Sequence, residues 1–430
     1  MFFISLDANA VPSFARQTKL PCQSCHTIFP ELTPFGREFK LNGYTMATIE
    51  QVESTKSDGK LGLKIDLISP LSVMLEVAFT SMGEAEPGTQ NNNVEFPQQL
   101  SLFYAGEISP NMGSFLQVTY DHQSDHFSLD NTDIRYSNQN VIAGGNVIYG
   151  LTLNNNPTVE DIWNSTPTWG FPWAAPDVQP NQIATPLIDN QLAQNVAGLG
   201  GFVLLGGEVY GNVTAYRASP PGISQPLNVD AQVENIAPYW RFAWQKNFGN
   251  NYLELGTYGM YTKIIQGFDG LGEPDLADKY TDYAFDMQYE RPFGENFLSF
   301  HATYIHEKQD LKSTYAASLS SHPTETLNTV KADATFHFHH SIGATASYFN
   351  TKGTSDDLLY MPIPLTGSRT GSPNTSGWIA QIALLPWENT QFLIQYIAYL
   401  NFNGATEDYD GYDRDANGNN TIYLLAWLVW

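Results

Sequence analysis

Asp282-Tyr283-Ala284-Phe285-Asp286-Met287-Gln288-Tyr289-Glu290 alternates without a break. Tyr283, Phe285, Met287 and Tyr289 fall on one face of a strand, and Asp282, Ala284, Asp286, Gln288 and Glu290 on the other. A strand with aromatics on one side and carboxylates on the other suits a wall between lipid and a wet lumen. The same alternation recurs to either side. Leu298, Phe300, Ala302 and Tyr304 oppose Ser299, His301 and Thr303, while Val330, Ala332, Ala334, Phe336 and Phe338 oppose Thr329, Lys331, Asp333, Thr335 and His337. Trp240, Phe242 and Trp244 oppose Arg241, Ala243 and Gln245.

The connections alternate as well. Tight turns at 109–112, 247–250, 292–295 and 387–390 take turns with long polar loops around 81–97, 218–234, 264–280, 351–376 and 403–419. Short periplasmic turns and long external loops are what an outer-membrane barrel shows, and a soluble β-sandwich does not require such regularity. Composition agrees. Charged residues are 15% and aromatics 13%, yet no stretch approaches the roughly 18 apolar residues of a membrane helix. A closed barrel needs only alternate residues to be apolar, so a mean hydropathy of -0.27 is compatible with a chain that faces lipid. The expected fold is all-β, a transmembrane outer-membrane β-barrel. Taking Leu61 to Ser69 and Leu71 to Thr80 as one strand bulged at Pro70 gives about 16 antiparallel strands, even as a single-chain barrel requires. The last residues, Leu424-Leu425-Ala426-Trp427-Leu428-Val429-Trp430, resemble the C-terminal strand by which bacterial outer-membrane proteins are recognised for insertion.

Ahead of the barrel stands Cys22-Gln23-Ser24-Cys25-His26. Two thiols three positions apart suit thioether bonds to one haem, and the following histidine suits axial ligation of its iron. These are the only cysteines in 430 residues, so no second pair completes a zinc site, and a thioredoxin-like redox pair lacks its βαβ context. Residues 1–10 read as the remnant of a secretory signal, with Phe2-Phe3-Ile4-Ser5-Leu6 before Ala8-Asn9-Ala10, although a basic leader is missing. Residues 11–55 then form a monohaem cytochrome c segment, and 56–430 the porin-like barrel.

Residues 12–18, Pro21, the haem motif and 27–44 (Thr27-Ile28-Phe29-Pro30-Glu31-Leu32-Thr33-Pro34-Phe35-Gly36-Arg37-Glu38-Phe39-Lys40-Leu41-Asn42-Gly43-Tyr44) resemble the N-terminal segment of fused outer-membrane cytochrome-porins. The resemblance implies one covalent haem c, electron transfer across the bacterial outer membrane, extracellular Fe(II) as donor and a periplasmic c-type cytochrome as acceptor. It covers only positions 12 to 44. A solute-conducting porin whose haem segment caps or regulates the pore is the alternative.

So short a segment has too few apolar residues to enclose a haem unaided. It is therefore expected inside the lumen near the periplasmic end, with Phe14, Phe35, Phe39 and Tyr44 burying the haem. Arg16 and Arg37 are expected to pair with the propionates or with lumen carboxylates such as Asp282, Asp286 and Glu290. A cytochrome tethered outside by 54–60 is the competing arrangement. Met46 is the candidate second axial ligand, with His301, His337 or an open position as alternatives. The segment 154–195, with Trp163, Trp169, Trp173 and several prolines, among them Pro157, Pro167, Pro172 and Pro176, is too long for an ordinary connection. It is either folded into the barrel mouth or an external loop with its own aromatic core.

Charge adds a partner class. Lys plus Arg number 20 against 44 Asp plus Glu, a net charge of -24, with Glu84, Glu86, Glu95, Asp269, Glu273, Asp275 and Asp278 assigned to external loops. Such a field concentrates cations and repels nucleic acid. Asp413-Arg414-Asp415-Ala416-Asn417-Gly418 has the spacing of half an EF-hand loop, so Asp413, Asp415 and Asn417 are candidate Ca²⁺ ligands. The twelfth position is Leu424, not a bidentate Glu, and an Asp/Asn/Gly hairpin loop explains the same residues.

Overall fold

The structure, a computed structural model, describes residues 12–46, 69–219, 231–266 and 277–430, apart from positions 87, 90, 123, 124, 143 and 340. The signal remnant, the linker 54–60, and Asp269, Glu273 and Asp275 lie outside the described residues. Three short helices come first: α1 (Pro12–Thr18), α2 (Cys22–Cys25) and α3 (Pro34–Leu41). The wall begins with β1 (Leu71–Met82), β2 (Asn93–Ser109), β3 (Met112–Asp121), β4 (His126–Ile142) and β5 (Gly145–Asn154). After a long inner segment come β6 (Val196–Leu205), β7 (Val209–Ala218), β8 (Ala231–Val233), β9 (Ala237–Phe248), β10 (Asn251–Gln266) and β11 (Asp278–Phe293). Then follow β12 (Asn296–Asp310), the one-turn helix α4 (Lys312–Ala316), β13 (Thr324–Phe338), β14 (Ile342–Gly353), β15 (Thr375–Trp387), β16 (Thr390–Asn401) and β17 (Thr421–Val429).

Neighbouring strands pair antiparallel, and β1 pairs with both β2 and β17, which closes the sheet. The three-residue β8 and the long β9 both pair with β10, at Val233↔Ile264 and Tyr239↔Met260. They form one wall strand, interrupted near Asn235, whose φ is 59°. The result is a closed barrel of 16 wall strands. Leu61 to Ile68, the first half of the strand expected to bulge at Pro70, lie outside the described residues, and Pro70 itself is described. It precedes β1, where its missing N–H breaks no ladder, and its carbonyl accepts from Ala105 N–H at 2.9 Å.

Burial is inverted relative to a soluble protein. Phe285 is 62% exposed and Leu199 equally so, whereas Asp282, Gln288, Ser299 and Thr335 on the lumen faces are fully buried. An apolar exterior of this extent marks a lipid-facing wall. Tight turns at Pro110-Asn111, Gly249-Asn250, Gly294-Glu295 and Glu388-Asn389 share one end, and the long connections share the other. Two residues assigned to loops are wall residues instead. Glu95 is buried in β2, and Asp278 opens β11, where its carboxylate accepts from the Ser313 and Thr314 N–H groups at the start of α4.

The lumen is filled from both ends. The N-terminal segment enters at the tight-turn end: Cys22 N–H reaches Glu388 Oε2 at 3.3 Å and Phe29 N–H reaches Gln391 Oε1 at 3.0 Å. The segment 155–195 comes from the long-loop end and runs inside the wall, with 155–166 buried throughout. Its Ser165 hydroxyl donates to Asp286 Oδ2 at 2.5 Å, and its Asp189 pairs with Lys331 at 2.6 Å. The two insertions meet where Leu32 N–H donates to Asn164 Oδ1 at 2.9 Å.

Candidate functional site

The site grows from a single helical turn. In α2, Cys22 and Cys25 stand at i and i+3 and so share a face. Thr33 locks this turn to α3, its hydroxyl donating to Ser24 O at 2.5 Å and accepting from Gly36 N–H at 3.1 Å. Gly36 is required by this approach, since a Cβ there would sit 2.2 Å from the Cys25 carbonyl oxygen. Both thiols are free. Burial pushes Cys25 up to about 11, and Cys22 still further with the help of Glu388. They are protonated thiols, unlike the low-pKa thiolate of a redox pair.

His26 borders a cavity of about 390 Å³, within the size range of small-molecule sites. Its walls include Phe14, Ala15, Cys25, Phe29, Phe39 and Tyr44 from the segment, Met74, Phe103, Phe115 and Trp427 from the wall, and Trp169 and Trp173 from the inner segment. Phe14 stacks on Tyr44 at 5.5 Å and meets Phe39 edge-on at 5.1 Å. His26 Nδ1 lies 3.3 Å from the Pro30 carbonyl, which can only accept, so the proton sits on Nδ1 and the Nε2 lone pair is left for a metal. Burial pushes His26 down to about 4 and keeps the ring neutral. The His26 imidazole, the Cys25 thiol and the aromatic walls of the cavity fit a haem, while Cys22 is buried and does not border the cavity.

A second layer fixes the segment. Arg37 grips Glu290 with both ends of its guanidinium, at 2.6 and 3.1 Å. Glu31 lies between His337 at 3.2 Å and His301 at 3.7 Å. Burial works against its charge, but the two histidines hold its carboxyl down to about 2. Ile28 points at Gly343, where a Cβ would lie 2.2 Å from its Cδ1. Tyr44 donates to Asp133 at 2.7 Å, and Lys40 Nζ donates to the Val159 and Asp161 carbonyls, both at 2.7 Å.

Among the expected haem contacts, Phe14, Phe39 and Tyr44 border the cavity, and Phe35, Arg16, Arg37 and Met46 do not. Arg16 is turned to the Leu71 carbonyl at the start of β1, and Arg37 pairs with Glu290, one of the lumen carboxylates expected for it. Met46 ends the described part of the segment. His301 and His337 are absent from the cavity walls because they hold Glu31. Sequence reasoning missed Met74 and Lys40, which do border the cavity. Met74 lies on the lumen face of β1, a position the alternation of Val73, Leu75 and Val77 against Met74, Glu76 and Ala78 makes readable.

At the other end, the loop of Asp413, Asp415 and Asn417 is closed by its own hydrogen bonds. Asp408 Oδ1 accepts from Asp413 N–H, Asp415 Oδ1 from Asp408 N–H, and Asn417 O from Asn420 N–H. Arg414 lies buried beside this loop and donates to Asn419 and to the Glu84 carbonyl.

A closed antiparallel barrel with an apolar exterior and a polar lumen is the architecture of a bacterial outer-membrane protein. No family model matches the chain, and no curated protein does. Among solved structures it is similar to the outer membrane channel DcaP of Acinetobacter baumannii, with a TM-score of 0.47 and 10% identity over 84% of this chain and 96% of that one. It is also similar to Salmonella typhi OmpF in complex with daunomycin (0.48, 12%, 86% and 98%) and to an anion-selective porin from Comamonas acidovorans (0.48, 11%, 84% and 98%). No site residue is carried over from them.

Proposed function

We propose that the chain is an outer-membrane electron carrier, with a haem c attached at Cys22 and Cys25 and ligated by His26. Its electrons come from an external donor, Fe(II) in the first instance, and leave to a periplasmic c-type cytochrome. The observation that carries this reading is the apolar cavity beside His26, enclosed within a lumen that two chain segments otherwise fill. Bound there, haem c would supply one-electron chemistry. This chain's residues do the rest. Phe29, Phe39, Phe103 and Trp427 exclude water, and Pro30 orients His26. Met74, a thioether on the cavity wall, would be available as a second ligand to the iron. Lys40 is the basic group among the described lining residues and suits a propionate.

Haem staining of denaturing gels tests attachment: wild type stains, while Cys22→Ala and Cys25→Ala stain weakly or not at all. Met74→Ala is expected to lower the reduction potential and remove sulfur-to-iron charge-transfer absorption, with Met46→Ala unchanged. An unstained wild-type band contradicts the reading. The second reading, a solute-conducting porin with a haem segment that caps or regulates the pore, draws on the wall alone and requires measurable ion conductance.

A further inference from the structure

At the long-loop end the lumen carries a cluster that takes no part in seating the N-terminal segment. Glu95 comes from the start of β2, His122 from the connection between β3 and β4, and Asp177 from the inner segment. One donor atom from each lies within 4.8 Å of the other two. Three separate elements thus bring two carboxylates and an imidazole to one point.

Glu95 is the residue that calls for a ligand. It is fully buried, and among the described residues no well-formed hydrogen bond reaches either carboxylate oxygen; the Thr80 hydroxyl, itself without another partner, is the one donor close to it. A buried carboxylate with so few donors is unfavourable unless it takes a proton or a cation completes it. The Gln98 carbonyl, 3.2 Å from His122 Nδ1, fixes the ring, and Asp177 Oδ2 lies 3.9 Å from the same nitrogen. Asp177 is exposed, so the cluster opens to solution on that side. A second triad, His322, Glu325 and Asp356, differs in this respect. Asp356 already accepts from Ser320, Ser321, Leu358 and Leu359, and it latches its loop.

We propose that Glu95, His122 and Asp177 bind a divalent first-row transition cation at the outer end of the lumen. Two carboxylates cancel its charge, and the imidazole favours Mn²⁺, Fe²⁺ or Zn²⁺ over the all-oxygen sites that Ca²⁺ and Mg²⁺ take. The site adjoins the haem cavity. Glu76 borders that cavity and lies within electrostatic reach of Asp177, and Gln98, which contacts His122, is followed by the cavity residue Gln99. The binding stands on this donor set; only the cation's role as the electron donor rests on the electron-transfer reading.

The test uses Mn²⁺, which is visible by electron paramagnetic resonance and needs no haem. Folded wild-type protein in detergent is expected to bind one Mn²⁺ more tightly than the rest, with nitrogen coupling from an imidazole in pulsed spectra. Glu95→Gln, close to isosteric, and His122→Ala are expected to weaken that binding at least tenfold, and His122→Ala to remove the nitrogen coupling. Glu86→Gln, on the loop between β1 and β2, is the control. Heat-modifiable gel mobility confirms that each variant is a closed barrel. Absence of a tight Mn²⁺ in wild type, or unchanged affinity in both variants, overturns the proposal. Loss of Fe(II) oxidation with intact Mn²⁺ binding counts against the electron-transfer reading and leaves the site standing.

Discussion

Arg241 sits fully buried among Asp161 at 3.2 Å, Glu254 at 3.3 Å and Asp286 at 2.7 Å. It joins the inner segment to two wall strands, and its removal takes away the cation that three buried carboxyl groups share. Arg241→Ala is expected to cost about 3–5 kcal/mol, read as a lower thermal transition of the folded barrel; an unchanged transition refutes this role. Glu160 sets a pH dependence. Burial pushes its carboxyl up, Asp133 adds to this, and the folded value is about 7. The unfolded value is about 4.3, so between these two the folded chain keeps a proton that the unfolded chain has lost. Stability therefore falls as pH rises through that window, by up to about 1.4 kcal/mol per unit. Glu160→Gln is expected to match wild type in melting at pH 4.5 and to exceed it at pH 8. Equal melting at both values contradicts the assignment.

At the scale of elements, α2 and α3 depend on a contact that leaves no space for a side chain. Gly36→Ala is expected to push α3 off the Cys25 carbonyl, with a cost of about 1–3 kcal/mol and a reduced yield of haem-stained protein. Undiminished staining and stability would show that the helices separate without consequence. The same elements show what the sequence reveals. The alternation in β9, β11, β12 and β13 is legible because every second side chain must face lipid, and the tight turns are legible from their Gly, Pro and Asn. Cys22, Cys25 and His26 are local in sequence and read directly. Met74 and Lys40 are not, because their meeting with His26 depends on how far the segment enters the barrel. Glu95 and Asp278 read as loop acids because strand ends at the barrel mouth carry polar residues on both faces. The inner segment shows its length and aromatics, but its partners, Gln245 and Tyr252 for Trp163, are fixed only by closure of the wall.

Over the whole molecule, a polar lumen is crossed by two inserted segments that hydrogen-bond to each other and to the wall. Intact protein in planar bilayers is therefore expected to conduct far less than an open 16-stranded porin, and deletion of 12–46 to raise the conductance. Equal conductance before and after deletion would place the segment outside the barrel. A net charge of -24 attracts cations to the protein, and such attraction weakens with salt. A carrier that spans the membrane must deliver electrons to the far side without letting ions through. Proteoliposomes enclosing oxidised cytochrome c, with Fe(II) added outside, separate these events. Reduction of the trapped cytochrome by wild-type protein, and none with Cys22→Ala or Cys25→Ala in equally tight vesicles, is the expected result; no reduction with haem-loaded wild type, or equal reduction with the haem-free variants, would contradict it.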